Sequence, residues 1–422
     1  MLMGAPASAQ SPGDRIAELE KKLERSLQLI ENLMNKVQRL ESISAPTQTA
    51  RPAASPLIDP AQDERIKAVE SHLQQITTGL ASRSNAEDGV PLHGFADLGY
   101  AFRTKGHPKG ANIGSVDFYL TPSIGDRVKS LVELNLEVSD AGAVGADLER
   151  LQIGYAFGDQ LTAWTGRFHT PYGYWNTAFH HGAQIQTSIL RPRFLEFEDK
   201  GGILPAHTVG LWGAGAIRTD AGKLTYDLFV GNSPRIAMDG GAGTGVLNPN
   251  IASSTNHSAS FGFNTGYEFA GTLNGLKLGL HGMQFRASDD DKPANTTLVE
   301  LLGGYAVYLE NDWEVLSEYY NFNNRDKTTD TGKHRSWAGY FQAGRNFGSW
   351  TPYGRVERTR LDQTDLYFSQ QASGGSYHRT AVGLRYDFNR ATAVKFEVNR
   401  TKFIDRAEST YNEGRVQFAI RF

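Results

Sequence analysis

The feature that most constrains this chain is a two-residue alternation of apolar and polar side chains, which recurs from Pro91 to Phe422. It is clear in the segments LVELNLEV, RLQIGYAF, AVGLRYDF, AVKFEV and GRVQFAIRF. Successive side chains of an extended strand point to opposite faces, so each segment predicts a strand with one apolar face. The opposite face is rich in Gly, Asn, Arg and Glu, which is unusual inside a soluble sandwich and normal inside a water-filled membrane barrel.

The number of these runs and the lengths of their connections predict the fold. About sixteen runs start near residues 93, 115, 129, 147, 161, 206, 222, 258, 275, 299, 312, 335, 350, 376, 391 and 411. Short connections such as FGDQ, RTDAG, LEND, NFGS and FNRA alternate with long ones, which places all the tight turns at one end. The prediction is an all-β transmembrane barrel of about sixteen antiparallel strands over residues 91–422. A soluble all-β protein is the alternative.

Composition excludes several other classes of protein. The 422 residues include no Cys, which excludes disulfide frameworks and thiolate metal sites. No run of eighteen apolar residues is present, so no membrane-spanning helix is predicted. A net charge of −3 without a basic block argues against a nucleic acid as the partner.

The region before the barrel has a helical period instead. Apolar residues recur at steps of three and four in DRIAELEKKLERSLQLIENLMNKVQRLE, and again from Ile66 to Leu80. Heptads with a broad polar face predict an α-helical coiled coil over residues 10–82, with a Pro-rich linker at about 44–60. A single amphipathic helix is the alternative. Residues 1–9 end in the A-x-A pattern Ala7-Ser8-Ala9 and predict the remnant of a signal peptide, with an ordinary terminus as the alternative.

This plan resembles a known family of channels. A heptad segment, then LHGFADLGYAF, then about sixteen strands ending on Phe is similar to the trimeric outer-membrane porins that carry a periplasmic coiled coil, of the DcaP-like dicarboxylate type or the phosphate-selective O and P type. The resemblance implies a homotrimer in bacterial outer-membrane lipid, with the coiled coil in the periplasm. It also implies that Phe422 is an assembly signal. Peptidoglycan and periplasmic envelope proteins are the candidate partners of the coil.

The longest connection spans about residues 169–205, between the fifth and sixth predicted strands. The resemblance implies that a loop at this place folds into the lumen and sets its width. Its composition agrees, because residues such as Phe179, Ile189 and Phe194 could pack it against the inner wall. The alternative is a loop that covers the barrel mouth with its charges solvated.

Charged residues that face the lumen are the candidate site. The clearer strands place seven bases and seven acids on this face, so only their distribution can select a solute. Bases cluster on the last three strands, and loop carboxylates on the opposite side would create a transverse field that favours anions modestly. The predicted pore-lining residues are Arg103, Arg150, Arg385, Lys395, Arg415 and Arg421 on the strands, with Arg191, Arg193, Glu196, Glu198 and Asp199 on the loop.

Catalytic and metal-binding motifs are not found. His169, His180, His181 and His207 match no compact ligand spacing, so hydrogen bonding or pore lining is predicted over a metal site. No G-x-S-x-G motif is present, and DGGAGTGVLNP lacks the Lys of a P-loop. We therefore predict no metal, no cofactor and no enzymatic activity, with an outer-membrane hydrolase as the alternative class.

The function predicted is passive diffusion of small hydrophilic solutes, anions such as carboxylates or phosphate in particular, through an outer-membrane porin. A second reading is an envelope tether or adhesin that uses the barrel only as an anchor. A wide conducting lumen distinguishes the two, because an anchor barrel can be narrow or plugged.

Overall fold

A computed structural model describes residues 92–422, except 104–109, 123, 139–143, 180–181, 238–244, 250–257, 290–295, 328–331 and 406–409. The signal remnant predicted at 1–9 and the coiled coil predicted at 10–82 lie outside the described residues. Within the described residues, no helix has the length and apolar character needed to span a membrane.

The described chain forms one sheet of eighteen strands, two of which are only two residues long. The strands are β1 Leu92–Arg103, β2 Gly110–Leu120, β3 Val128–Val138, β4 Val144–Ala156, β5 Thr162–His169, β6 His207–Thr219, β7 Gly222–Asn232, β8 Arg235–Ile236, β9 Leu247–Asn248, β10 Ala259–Phe269, β11 Leu276–Asp289, β12 Thr296–Glu310, β13 Trp313–Asp326, β14 Lys333–Arg345, β15 Trp350–Arg360, β16 Tyr377–Asn389, β17 Thr392–Phe403 and β18 Tyr411–Arg421. Two short helices lie in connections, α1 Trp175–Ala178 and α2 Leu366–Ser369.

Sixteen of these strands close into a barrel. Each pairs antiparallel with its neighbour in sequence, β7 pairs with β10 past the two short strands, and β18 pairs with β1. Gly94 and Phe422 complete the seam, since each backbone N–H donates to the carbonyl of the other at 2.9 and 3.0 Å. The predicted barrel of about sixteen antiparallel strands is confirmed. Closure satisfies the backbone groups that an open sheet would leave unpaired at its edges.

The connections follow the predicted alternation of short and long only in part, because the connection between β2 and β3, residues 121–127, is longer than the next one, residues 139–143. At the end where β1 begins, here the turn end, residues 220–221, 311–312 and 390–391 are two-residue connections. Asn311 and Asp312 both have positive φ, 54° and 64°, which suits the twist of a tight hairpin. The other end, here the loop end, carries the long connections, of which residues 170–206 are the longest.

Candidate functional site

The connection between β5 and β6, residues 170–206, folds into the barrel and is called the inner loop below. Its aromatic side chains pack on the inner wall formed by β13 and β14. Trp175 has no solvent exposure and meets the Tyr340 ring edge-on at 5.6 Å. Phe194 meets Tyr320 in the same way at 5.3 Å. Apolar residues of the loop therefore do the packing that the sequence predicts for them.

A buried carboxylate on β13 binds the start of the inner loop. Glu318 accepts hydrogen bonds from the backbone N–H of Tyr174 at 2.8 Å and of Trp175 at 2.7 Å. The hydroxyls of Tyr320 and Tyr340 donate to the same carboxylate, each at 2.7 Å. Gly173 allows this approach, because its φ is +61° and a Cβ there would lie 2.2 Å from Glu318 Oε2.

Two further carboxylates bind the middle of the loop. Glu357 on β15 accepts from the Arg193 backbone N–H at 2.8 Å, and Glu397 on β17 accepts from the Ile189 N–H at 3.0 Å. Tyrosine hydroxyls donate to these acids as well, Tyr377 to Glu357 at 2.9 Å and Tyr353 to Glu397 at 2.8 Å. Since backbone N–H groups of the loop have no strand partner, these acids satisfy donors that would otherwise be buried and unpaired.

Cations on the same wall bind the carbonyls of the loop. The Arg355 guanidinium, 1% exposed, donates to the carbonyl oxygens of Leu190 at 2.7 Å and Arg191 at 3.2 Å. Arg385 donates to the Gln184 carbonyl at 2.7 Å and the Gln186 carbonyl at 3.0 Å.

Lys395 is fully buried beneath the loop and donates to the carbonyls of Ala183 and Ser188. The sequence predicts that Arg385 and Lys395 line the pore. The structure corrects this, because the inner loop covers Lys395 completely, while the Arg385 side chain is 11% exposed, bonds the loop and pairs with Asp387 at 2.7 Å.

Two more predicted pore residues lie in a buried network where the loop rejoins the wall. Glu198 accepts from the His207 backbone N–H at 2.8 Å, and its carboxylate lies 3.1 Å from His207 Nδ1. The other ring nitrogen of His207 lies 3.0 Å from Glu149. Arg150 forms an ion pair with Glu133 and is 8% exposed. Glu198 and Arg150 therefore stabilise the wall rather than face the pore, which corrects both predictions.

The histidines predicted to hydrogen-bond or line the pore rather than bind a metal divide into two groups. The rings of His169 and His207 meet edge-on at 4.8 Å, within the network of carboxylates just described. His180 and His181 lie outside the described residues. Within the described residues, no group of three or more His, Asp and Glu side chains is arranged to hold a metal ion.

Opposite the wall that binds it, the inner loop leaves an open cavity of about 420 Å³. The cavity lies between the loop and strands β1–β3, β16 and β18. Among the predicted site residues, it is lined by Arg103, Arg191, Arg193, Glu196 and Arg415. Arg421 lies at the turn end of β18, outside this lining, and the side chain of Asp199 lies outside the described residues.

The cavity also contains charged residues that were not among the predicted pore residues, chiefly Arg379 and Glu413. Arg415 donates to Glu413 at 2.9 and 3.0 Å, and Arg379 lies 3.6 Å from the same carboxylate. The alternation could have found Arg379, because it is two residues before Ala381 on the lumen side of β16. Its segment, YHRT, directly precedes the clear alternation AVGLRYDF and has no apolar side chain after Tyr377.

Three arginines of the cavity have no carboxylate within ion-pair distance among the described residues: Arg103, Arg191 and Arg193. Arg103 lies 3.3 Å above the Tyr411 ring, and Arg193 lies 5.1 Å above the Phe403 ring. Both aromatic contacts position the guanidinium group without neutralising its charge. The cavity therefore has cationic groups available to a solute.

Comparisons with known proteins support the fold. No protein-family model matches the chain, and no curated protein matches it. The anion-selective porin from Comamonas acidovorans superposes with a TM-score of 0.54 at 13% identity, covering 79% of this chain and 99% of that one. The outer-membrane channel DcaP of Acinetobacter baumannii gives 0.51 at 10%, covering 81% and 99%. Outer-membrane-expressed OmpT of Vibrio cholerae gives 0.53 at 10%, covering 79% and 97%. The fold is thus the sixteen-stranded barrel found in outer-membrane porins.

Proposed function

We propose that this protein is a passive diffusion channel of the bacterial outer membrane that favours small hydrophilic anions. The observation that carries the proposal is the open cavity beside the inner loop, with arginines on its surface that lack a carboxylate partner among the described residues. A loop that narrows the lumen without filling it is the arrangement a size-limited channel needs.

The charge balance around the cavity gives the direction of selectivity. Six cations and four acids line it, and three of the acids are already engaged, all except Glu196. Glu413 pairs with two arginines, and Glu137 pairs with Lys200. The carboxylate of Asp97 accepts from the Ser115 N–H at 3.1 Å and from Gln417 at 3.0 Å. Arg103 and Arg193 remain to attract a carboxylate or phosphate, whereas Arg191 is 5% exposed and donates to Asn176 at 3.2 Å. The anion selectivity named for the Comamonas porin agrees with this direction.

The finer parts of the proposal rest on the resemblance to coiled-coil porins. They are a homotrimer, a periplasmic coiled coil over residues 10–82 that contacts peptidoglycan or envelope proteins, and a DcaP-like preference for carboxylates or a preference for phosphate. Phe422 is the proposed assembly signal of the closing strand.

The test is the reversal potential of the purified full chain in a planar bilayer under a KCl gradient. We expect the wild type to pass chloride in preference to potassium. Replacing both Arg103→Gln and Arg193→Gln should lower this preference, because it removes two unpaired cations from the cavity. The matched control is Arg345→Gln with Arg358→Gln, which removes two cations from the outer face of the barrel.

Three outcomes would argue against the proposal. A cation-preferring wild type, or equal selectivity of the two double variants, would show that the cavity arginines do not select the solute. A barrel that does not conduct at all would favour the anchor of a tether or adhesin. Selectivity should also weaken in concentrated salt, since the Debye length is about 8 Å at physiological ionic strength.

A further inference from the structure

The outer face of the barrel has a strongly basic region that the channel does not use. Near the loop end, the outer faces of β14–β17 expose six cations: Lys333, Arg335, Arg358, Arg360, Arg400 and Lys402. These six residues are called the basic belt. None of them forms an ion pair or a side-chain hydrogen bond with a described residue. No Asp or Glu lies on the outward face of these four strands.

The strand register groups the cations of the belt without an acid between them. Arg358 lies directly opposite His378, which in turn lies opposite Lys402 on the next strand. Arg358 and Arg360 are two residues apart on β15, as are Arg400 and Lys402 on β17, so each pair shares the outward face of its strand. The belt therefore presents grouped positive charge to an external anion.

The wall below the belt, towards the turn end, is apolar. Val356, Val382 and Val398 are 53%, 59% and 55% exposed there. By contrast, the outer faces of β1–β4 expose apolar residues up to the loop end, such as Phe102 on β1 and Ile113 on β2. The belt therefore marks the upper edge of an apolar band on β14–β17, an arrangement that β1–β4 do not share.

A groove of about 470 Å³ runs into this wall immediately below the belt. Gly339 forms its floor between the exposed side chains of Tyr319, Phe341 and Val356, and Arg358 lines it. Arg358 also lies 5.6 Å above the ring of Trp337. An apolar groove with cations at its upper rim matches an amphipathic ligand whose headgroup is anionic.

We propose that the basic belt and this groove bind a phosphorylated acyl lipid of the outer leaflet, with its phosphates on the belt and one acyl chain in the groove. The proposal rests on the membrane location proposed above. Belt arginines suit phosphate because their guanidinium groups present several donors in one plane. Apolar side chains of the groove suit the acyl chain because its burial removes apolar surface from the detergent or membrane interface.

Native mass spectrometry of the purified full chain in detergent, with EDTA present, tests the proposal. The probes are diphosphoryl lipid A, monophosphoryl lipid A and phosphatidylcholine. We expect affinity to fall in that order. Combining Arg358→Gln with Lys402→Gln should weaken binding of the diphosphoryl probe by about tenfold or more, since each cation near a lipid surface contributes attraction. Val356→Trp, which fills the groove, should weaken binding of both lipid A probes.

The control is Arg345→Gln, which removes an exposed cation from the turn end of β14 and should leave binding unchanged. Equal affinity for phosphatidylcholine, or an unchanged affinity of the charge variant, would overturn the proposal. So would a charge variant that loses the native oligomer while keeping lipid affinity, because the belt would then be a contact between copies of the chain. Lipid binding is measured without ion flow, so failure of this proposal and failure of the channel are separate results.

Discussion

The two sides of the lumen use the same types of charged residue for opposite purposes. On one side, here the clamped wall, Glu318, Arg355, Glu357, Lys395 and Glu397 lie beneath the inner loop and bind its backbone. On the other, here the open wall, Arg103 and Arg415 face the cavity. All seven side chains point into the barrel, so orientation does not distinguish them.

Burial does distinguish them. Each charge of the clamped wall has been removed from water, which costs several kcal/mol unless partners compensate for the lost hydration. The loop supplies those partners in its N–H and carbonyl groups. Charges of the open wall keep their access to water and can therefore exchange it for a solute. Under the proposed function, the clamped wall sets the width of the channel and the open wall its selectivity.

The largest effect is expected from Arg355→Ala on the clamped wall. This change leaves Glu357 buried without the 2.8 Å contact to its cation and removes the donors to Leu190 and Arg191. Breaking a buried ion pair of this kind costs about 3–5 kcal/mol. We expect a looser inner loop, seen as a higher and noisier single-channel conductance and a lower unfolding temperature. The outer-face variant Arg345→Ala should match the wild type, and a wild-type conductance for Arg355→Ala would show that the clamp does not hold the loop.

A smaller effect is expected from Gly173→Ala. Both Gly173 and Gly348 have positive φ, +61° and +66°, so Ala at either position adds backbone strain of about 1–2 kcal/mol. At Gly348 a Cβ has nothing within 4 Å, whereas at Gly173 it meets Glu318 Oε2 at 2.2 Å. Only Gly173→Ala should therefore raise conductance, with the thermal midpoint lowered more than in Gly348→Ala. Equal thermal midpoints and equal conductance for the two variants would show that Gly173 does not help to hold the inner loop on the clamped wall.

The loop that follows β15 should respond to pH at the top of the clamped wall. Asp365 caps α2 by accepting from the Tyr367 N–H at 2.9 Å, and Tyr367 in turn donates to Ile203 of the inner loop at 2.6 Å. Burial raises the pKa of Asp365 from its ordinary 3.8 to about 6, with Asp326 raising it further while Asn324, Tyr367 and His334 act to lower it.

Because the folded protein binds the proton more tightly, this group favours folding most below pH 3.8, and that contribution is lost as the pH rises through about 6. Hydrogen exchange of the amides of α2, corrected for the intrinsic rate, should thus reveal easier opening at neutral pH than at mildly acid pH. Asp365→Asn should reduce this dependence. If Asp365→Asn keeps the same pH dependence of amide exchange, another titratable group, such as His334, is responsible for it.

The smallest effect is expected on the open wall, at the seam that closes the barrel. The Phe422 ring is 52% exposed and meets Phe118 at 6.1 Å, so Phe422→Ala should cost about 1 kcal/mol. Its backbone hydrogen bonds to Gly94 remain in this variant, while deletion of Phe422 removes them. We expect a modest loss of the folded, heat-modifiable form for the substitution and a larger loss for the deletion. The control is Phe388→Ala, which truncates a similarly exposed aromatic residue. An equal loss of the folded form in this control would show that Phe422 has no special role in assembly.

The sequence by itself determined the strands and the order in which they pair. Side-chain direction in a strand depends only on position along it, so the alternation that ends in Phe418 and Ile420 predicts which face meets the lumen. Connection lengths determined the two ends of the barrel, and the longest one identified the inner loop. The predicted run starts near 222, 350 and 411 coincide with the first residues of β7, β15 and β18.

Tertiary structure alone decided which lumen charges remain available to a solute. The sequence predicts that both Arg103 and Lys395 line the pore. In the structure, Arg103 faces the cavity and Lys395 is buried beneath the inner loop. The difference depends on where the loop crosses the lumen, and this is set by contacts such as that of Ile189 with Glu397, 208 residues apart. No local pattern records such a contact, because desolvation of a charge is determined by whatever segment comes to cover it.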